Sequence, residues 1–126
     1  MPRYSQQERE QLAVLVMDVL KEWNIRDEIQ LELLGLPAKT ANRELTKFSR
    51  GKALPDDEQL LQRVVHLLGI HHALGVVFPL NRKMAAFWLT TANRHFGGAP
   101  LTVMLEEGLS GMDQVWRHLD CTRNWE

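Results

Sequence analysis

The chain has 126 residues, of which 44% are hydrophobic and 25% charged, and a formal net charge of −1. That length holds one domain or two very small ones, and the near-neutral balance excludes a general electrostatic pull toward nucleic acid or anionic membrane. The one cysteine, Cys121, excludes an internal disulfide and suits a reducing cytosol; with no signal-peptide core at the start and no apolar run approaching ~20 residues, a cytoplasmic protein without a membrane span is expected.

Ser5 and Glu8 form a capping box, and Leu12, Leu15, Val16, Val19, Leu20 and Trp23 follow at helical intervals, so residues 5–23 read as an amphipathic helix. Asn24 is expected to cap a short second helix carrying Ile29, Leu33 and Leu34, with Gly35 ending it and Pro37 opening a third. Gly51 and Pro55 mark a loop. Asp56 and Asp57 favour the start of a long fourth helix, apolar from Leu60 to Leu74 and stopped by Pro79. Asn81 can cap a fifth, with Ala85, Phe87, Trp88 and Leu89. After the Phe96-Gly97-Gly98 turn, Pro100 sits in the first turn of a sixth helix with Leu101, Met104 and Leu105, and Gly108 closes it. A seventh carries Met112, Val115, Trp116 and Leu119 and is expected to close near Leu119, leaving a short tail. No stretch alternates as a strand would. The expected fold is all-α: a helix-turn-helix-like region over 1–56, joined by the long helix to a small helical domain over 57–126.

Charge is unevenly placed. Residues 8–34 carry seven acids against three cations, a net of −4, whereas residues 36–52 carry Lys39, Arg43, Lys47, Arg50 and Lys52 against Glu44 alone. On a helical wheel of the third helix, Ala38, Ala41, Leu45 and Phe48 fall on one side and Lys39, Arg43, Lys47 and Arg50 on the other, with Thr40 and Thr46 flanking. Together with the Leu34-Gly35-Leu36 turn this is a helix-turn-helix layout, whose second helix would enter the major groove. Lys39, Thr40, Arg43, Lys47, Arg50 and Lys52 are its candidate DNA contacts. Leu31 and Ala41 exchange the sizes usual at the two packing positions of that motif. The competing reading is a solvated basic face.

No spacing of catalytic or ligand type emerges. His71 and His72 are adjacent and point to different faces, and His66, His95 and His118 fit no zinc pattern. His118 reads as exposed or as touching a partner. Cys121 lacks a nucleophile signature, Gly97-Gly98 follows no strand, and the pairs Glu106-Glu107 and Asp56-Asp57 sit at helix ends. Neither a metal nor a cofactor is expected, and an enzyme has little to stand on. Of four tryptophans, Trp23 and Trp88 read as core. Trp125, beside Arg123 in the terminal segment, either anchors a partner or folds back on its own domain.

A longer pattern adds to this. Leu67-Leu68-Gly69-Ile70, Ala73-Leu74, Phe78-Pro79 and Ala86-Phe87-Trp88-Leu89 come first. Asn93, Phe96-Gly97-Gly98, Pro100-Leu101, Gly108-Leu109, Gly111 and Val115-Trp116-Arg117-His118-Leu119-Asp120 follow. In order and spacing these resemble the toxin-binding domain of Xre/MbcA/ParS-type antitoxins, over about residues 60–126. The resemblance implies a protein that binds and blocks a toxin, typically a RES-domain toxin that destroys NAD. It also implies repression of the gene pair through an N-terminal helix-turn-helix. Trp116, Arg117, Asp120, Arg123 and Trp125 are then the candidate toxin contacts, and by the same resemblance an arginine of this region could occupy the pocket for the toxin's anionic substrate. Operator DNA and a second copy, reading two half-sites, complete the expected partners. The alternatives are a stand-alone helix-turn-helix regulator without a toxin and, from another class, a small enzyme.

Overall fold

The computed structural model describes residues 4–37 and 39–124. The regular elements among them are seven helices: α1 (Gln6–Glu22), α2 (Asp27–Leu34), α3 (Arg43–Ser49), α4 (Glu58–Val77), α5 (Arg82–Thr90), α6 (Pro100–Glu107) and α7 (Leu109–Asn124). The all-α expectation holds, and the β-pairing found among the described residues is one isolated antiparallel bridge between Asn93 and Gly98. The chain divides into two packed units, Met1–Val65 and His66–Glu126, with the division inside α4.

In the first unit the capping box forms as expected: the Ser5 hydroxyl accepts from the Glu8 amide at 3.1 Å and the Glu8 carboxylate accepts from the Ser5 amide at 2.8 Å. Ala13, Val16, Met17, Val19, Leu20 and Trp23 are buried. Leu15 is 53% exposed, against expectation. At 100° per residue it lies about 120° from the centre of the arc those residues define. Asn24 does not cap α2. It adopts a left-handed φ of 58° and its amide closes the last turn of α1 on the Lys21 carbonyl at 2.9 Å, a conformation asparagine tolerates well. The residue before α2 is Arg26, and Gly35 ends that helix at φ 74°. The Arg63 guanidinium donates to the Leu33 carbonyl at 3.3 Å, placing a cation at the negative end of α2. Buried Leu33 and Leu34 contribute roughly 1.5–3 kcal/mol each.

The third helix departs most from expectation. It begins at Arg43, not Pro37, and before it the Thr40 amide closes a turn on the Pro37 carbonyl at 2.9 Å and the Glu44 amide closes one on the Ala41 carbonyl at 3.0 Å. Leu36 has no side-chain oxygen to cap a helix opening at Pro37, and Thr40 and Asn42 are weak helix formers. Leu45 and Phe48 are buried as expected, Ala41 is exposed, and Ala38 lies outside the described residues.

In the second unit, Leu67, Ile70, Ala73 and Leu74 of α4 are buried with Leu89, Val103, Met104, Met112, Val115 and Leu119. Although α4 has the length and the mean hydropathy, 1.3, of a membrane-crossing helix, its large apolar side chains Leu60, Leu61, Val64, Leu67 and Ile70 are spent in the core. The Asn81 carboxamide caps α5 by accepting from the Lys83 amide at 3.1 Å. Pro100 opens α6, and Gly108 ends it at φ 62°. α7 runs on to Asn124, past the expected stop near Leu119, because residues 120–124 contain neither glycine nor proline.

Candidate partner-binding surfaces

The basic face of the first unit is partly neutralised within itself. Lys47 and Lys52 both reach the Glu44 carboxylate, at 3.0 and 2.7 Å. Lys52 first, then Lys47, lowers the Glu44 pKa to about 2, so this acid stays ionised at any pH near neutrality. Lys52 also lies 5.7 Å over the Phe48 ring. Lys39, Arg43 and Arg50 are exposed and Thr40 is half-buried. Of these candidate DNA contacts only Arg43 and Lys47 stand on α3; Lys39 and Thr40 precede it, and Arg50 and Lys52 follow it. The tight turn expected between the two helices is absent, since α2 ends at Leu34 and α3 starts only at Arg43.

In the second unit the loop between α5 and α6 is closed on itself. The Asn93 amide donates to the Gly98 carbonyl at 2.9 Å, and the Asn93 side chain accepts from the His95 amide at 2.8 Å. Gly97, at φ 72°, lets the chain return. The loop thereby sets Phe96 edge-on to Trp88 at 6.3 Å and to His118 at 5.1 Å, while His95 stacks on His118 at 4.3 Å. His118, expected to be exposed or to touch a partner, is half-buried in this ring cluster. Desolvation there, and then the neighbouring His95, lower its pKa below the ordinary 6.5. Trp88, expected in the core, is half-buried at the edge of the same cluster.

Trp116 is an internal anchor more than an outward one. Its ring crosses Gly69 so closely that a Cβ there would lie 2.2 Å from Cζ2, and His66 meets it edge-on at 5.2 Å. Gly111 plays the same part on the other side of α7: a Cβ there would lie 2.3 Å from the Val103 carbonyl oxygen. Two glycines thus fix α7 against α4 and α6. Fixed in this way, α7 turns Arg117 to solvent, 80% exposed, where its Nε donates to Asp113 at 2.9 Å. Asp120 is half-buried a turn further on. The Arg123 side chain and Trp125 lie outside the described residues.

Sequence reasoning missed an apolar cleft at the α4–α5 corner. It has a volume of about 320 Å³ and is lined by Phe78, Met84, Phe87, Trp88, Ala92 and Arg94 among others. Phe87 had been placed in the α5 apolar stripe but is 59% exposed. A signal was available: the sequence holds no Asp or Glu between Gln59 and Leu105.

The chain is similar to the uncharacterized protein y4oB of Sinorhizobium fredii, with 29% identity over 106 residues that cover 83% of this chain and 78% of that one. Residues 73–124 match the family model described as the antitoxin Xre/MbcA/ParS C-terminal toxin-binding domain. The matched span begins at buried Ala73, takes in the Asn93–Gly98 loop and both punctuating glycines of α6 and α7, and ends with α7 itself. Over residues 73–124 this chain is therefore similar to the toxin-binding domain of the Xre/MbcA/ParS antitoxins.

Proposed function

We propose that this chain is the antitoxin of a type II toxin–antitoxin pair and neutralises a RES-type, NAD-degrading toxin by covering its active site. The observation that carries this reading is the family match over α5 to α7, on an assembly that holds α7 in place and turns its Arg117 outward. A helix edge bearing a cation is suited to a pocket that accepts an anionic substrate, because a guanidinium can bind phosphate oxygens in two places at once. Arg117, Asp120, Arg123 and Trp125 supply the contacts, and Trp116 holds the helix that presents them. The protein acts in the cytoplasm as a binding module without catalysis of its own.

The first unit binds operator DNA and represses the gene pair, as a pair of copies reading two half-sites. Lys39, Arg43 and Arg50 lead this contact, since Lys47 and Lys52 must first leave Glu44.

The test is co-expression of the chain with the product of the adjacent gene, expected to be a RES-type toxin, scored by cell growth and cellular NAD. The full chain should restore both, and Arg117→Glu, or a chain ending at Cys121, should lose most of the rescue while keeping its circular dichroism spectrum. Full rescue by both variants would remove α7 from the inhibitory contact. Failure of the full chain to bind or rescue would remove the toxin reading and leave a DNA-binding regulator.

A further inference from the structure

An acid stands in the middle of the basic face of the first unit. Residues 36–52 hold the cations Lys39, Arg43, Lys47, Arg50 and Lys52 and the acid Glu44. The Glu44 carboxylate is bound on both sides: Lys47 Nζ lies 3.0 Å from Oε2 and Lys52 Nζ 2.7 Å from Oε1. All three groups reach the surface, the lysine side chains 55% and 50% exposed and that of Glu44 24%. Ion pairs this exposed contribute little to stability. On a face that binds phosphates such an acid is costly, because it holds two cations away from the DNA and itself repels the backbone. Arg43 and Lys47, its neighbours on α3, are both exposed, so a duplex that reaches them also reaches Glu44.

Once Lys47 and Lys52 turn to phosphates, the carboxylate needs another donor. Lys52 first, then Lys47, lowers its pKa to about 2, so Glu44 is an ionised acceptor at any pH near neutrality. An ionised carboxylate accepts hydrogen bonds and cannot donate one. In the major groove cytosine presents its N4 amino group with no acceptor of its own. Guanine presents two acceptors, thymine an acceptor and a methyl group, and adenine an acceptor beside its amino group. A carboxylate therefore suits cytosine and is disfavoured at the other three bases.

We propose that Glu44 is a specificity-determining residue of the DNA contact: it exchanges Lys47 and Lys52 for the N4 amino group of a cytosine in the major groove. The inference rests on the operator reading put forward under the proposed function and adds the base that is read. It works by penalty as much as by attraction. On a sequence without that cytosine there are two outcomes. Either the lysines stay on Glu44 and their phosphate contacts are lost, or they leave and the carboxylate faces phosphates and base acceptors without a donor. On the right sequence the lysines reach phosphates and the carboxylate is paired, so the whole exchange is completed there alone.

The experiment is selection from a random-sequence duplex library by the full wild-type chain and by its Glu44→Ala variant, followed by fluorescence anisotropy on the selected duplexes. The wild type should select a motif with a fixed C·G pair at which Glu44→Ala accepts any base. Replacing that pair by T·A should weaken the wild type about tenfold or more and Glu44→Ala by less than about twofold. On a scrambled duplex Glu44→Ala should bind more tightly than the wild type. Its slope of log affinity against log salt should also be steeper by about one to two, as the freed lysines take up phosphates. Should Glu44→Ala fail to fold by circular dichroism, Glu44→Gln serves in its place. That variant should move the preference from cytosine to adenine, whose amino group and N7 a carboxamide meets together. A wild type that binds no duplex overturns the operator reading and this assignment with it. A wild type that binds every sequence alike overturns the assignment alone. So does a variant that selects the wild-type motif unchanged, a relaxed position that is not cytosine, or a scrambled duplex bound no more tightly by Glu44→Ala.

Discussion

Gly111→Ala should destabilise the protein although it replaces a glycine inside a helix with the best helix former. In an exposed helix the exchange stabilises by about 0.5–1 kcal/mol, because glycine loses more backbone freedom on folding. At Gly111 the new methyl would lie 2.3 Å from the Val103 carbonyl oxygen, 2.9 Å from its carbon and 3.1 Å from the Met104 Cα. All three are backbone atoms of α6 and cannot rotate away, so the two helices must separate. Overpacking of this kind costs about 1–3 kcal/mol, and backbone approaches this short belong at the upper end. A net loss of about 2 kcal/mol follows, which lowers the Tm by roughly 8–10 °C for a domain of this size. Gly75 is the control: it is exposed, near the end of α4, and a Cβ there meets nothing within 4 Å. Gly75→Ala should therefore raise the Tm. Thermal unfolding followed by circular dichroism on the two variants decides the matter. A Tm raised by both would show that the backbones of α6 and α7 do not meet at Gly111.

Gly69→Ala and Trp116→Ala should each destabilise, and together by clearly less than their sum, since removing the ring makes room for the methyl; additive losses in a urea double-mutant cycle would refute the packing of one on the other. Stability should hold above about pH 6.5 and fall below it, because the unfolded chain protonates His118 there while the ring cluster resists doing so. In His118→Phe that part of the decline should vanish, and an unchanged pH profile in urea unfolding would clear His118 of it. In operator binding, Arg43→Ala should weaken affinity more than Lys47→Ala, because Lys47 is already engaged by Glu44. Removing either cation from a phosphate should also reduce the slope of log affinity against log salt by about one. Equal effects of the two substitutions would mean that Lys47 leaves Glu44 at no cost.

Signals confined to a few residues were legible. The Ser5–Glu8 box, the Asn81 cap, Pro100 at the opening of α6 and glycines 35 and 108 each act within one turn, so the sequence around them carries the whole cause. Where a rule of this kind failed, a second local preference competed with it. Asn24 suits a helix N-cap and a left-handed turn equally, and closing α1 on the Lys21 carbonyl decided for the turn. Pro37 fits the start of a helix, but Leu36 cannot cap one, so α3 is short and the expected tight turn is absent.

What the sequence concealed depends on distance along the chain. Gly69 and Trp116 each stood in the family pattern, yet neither shows alone that it exists for the other. Periodicity finds apolar faces but does not say which are covered: Leu15 and Phe87 keep helical spacing and are more than half exposed. The contact residues of the proposed site were the least accessible to such reasoning. Arg117 and Trp116 are adjacent, but the tryptophan is taken up by Gly69 and His66 while the arginine is left in water. Only the packing of α7 separates the residue that holds the surface from the one that can use it, and that packing is set by two glycines, one of them on another helix.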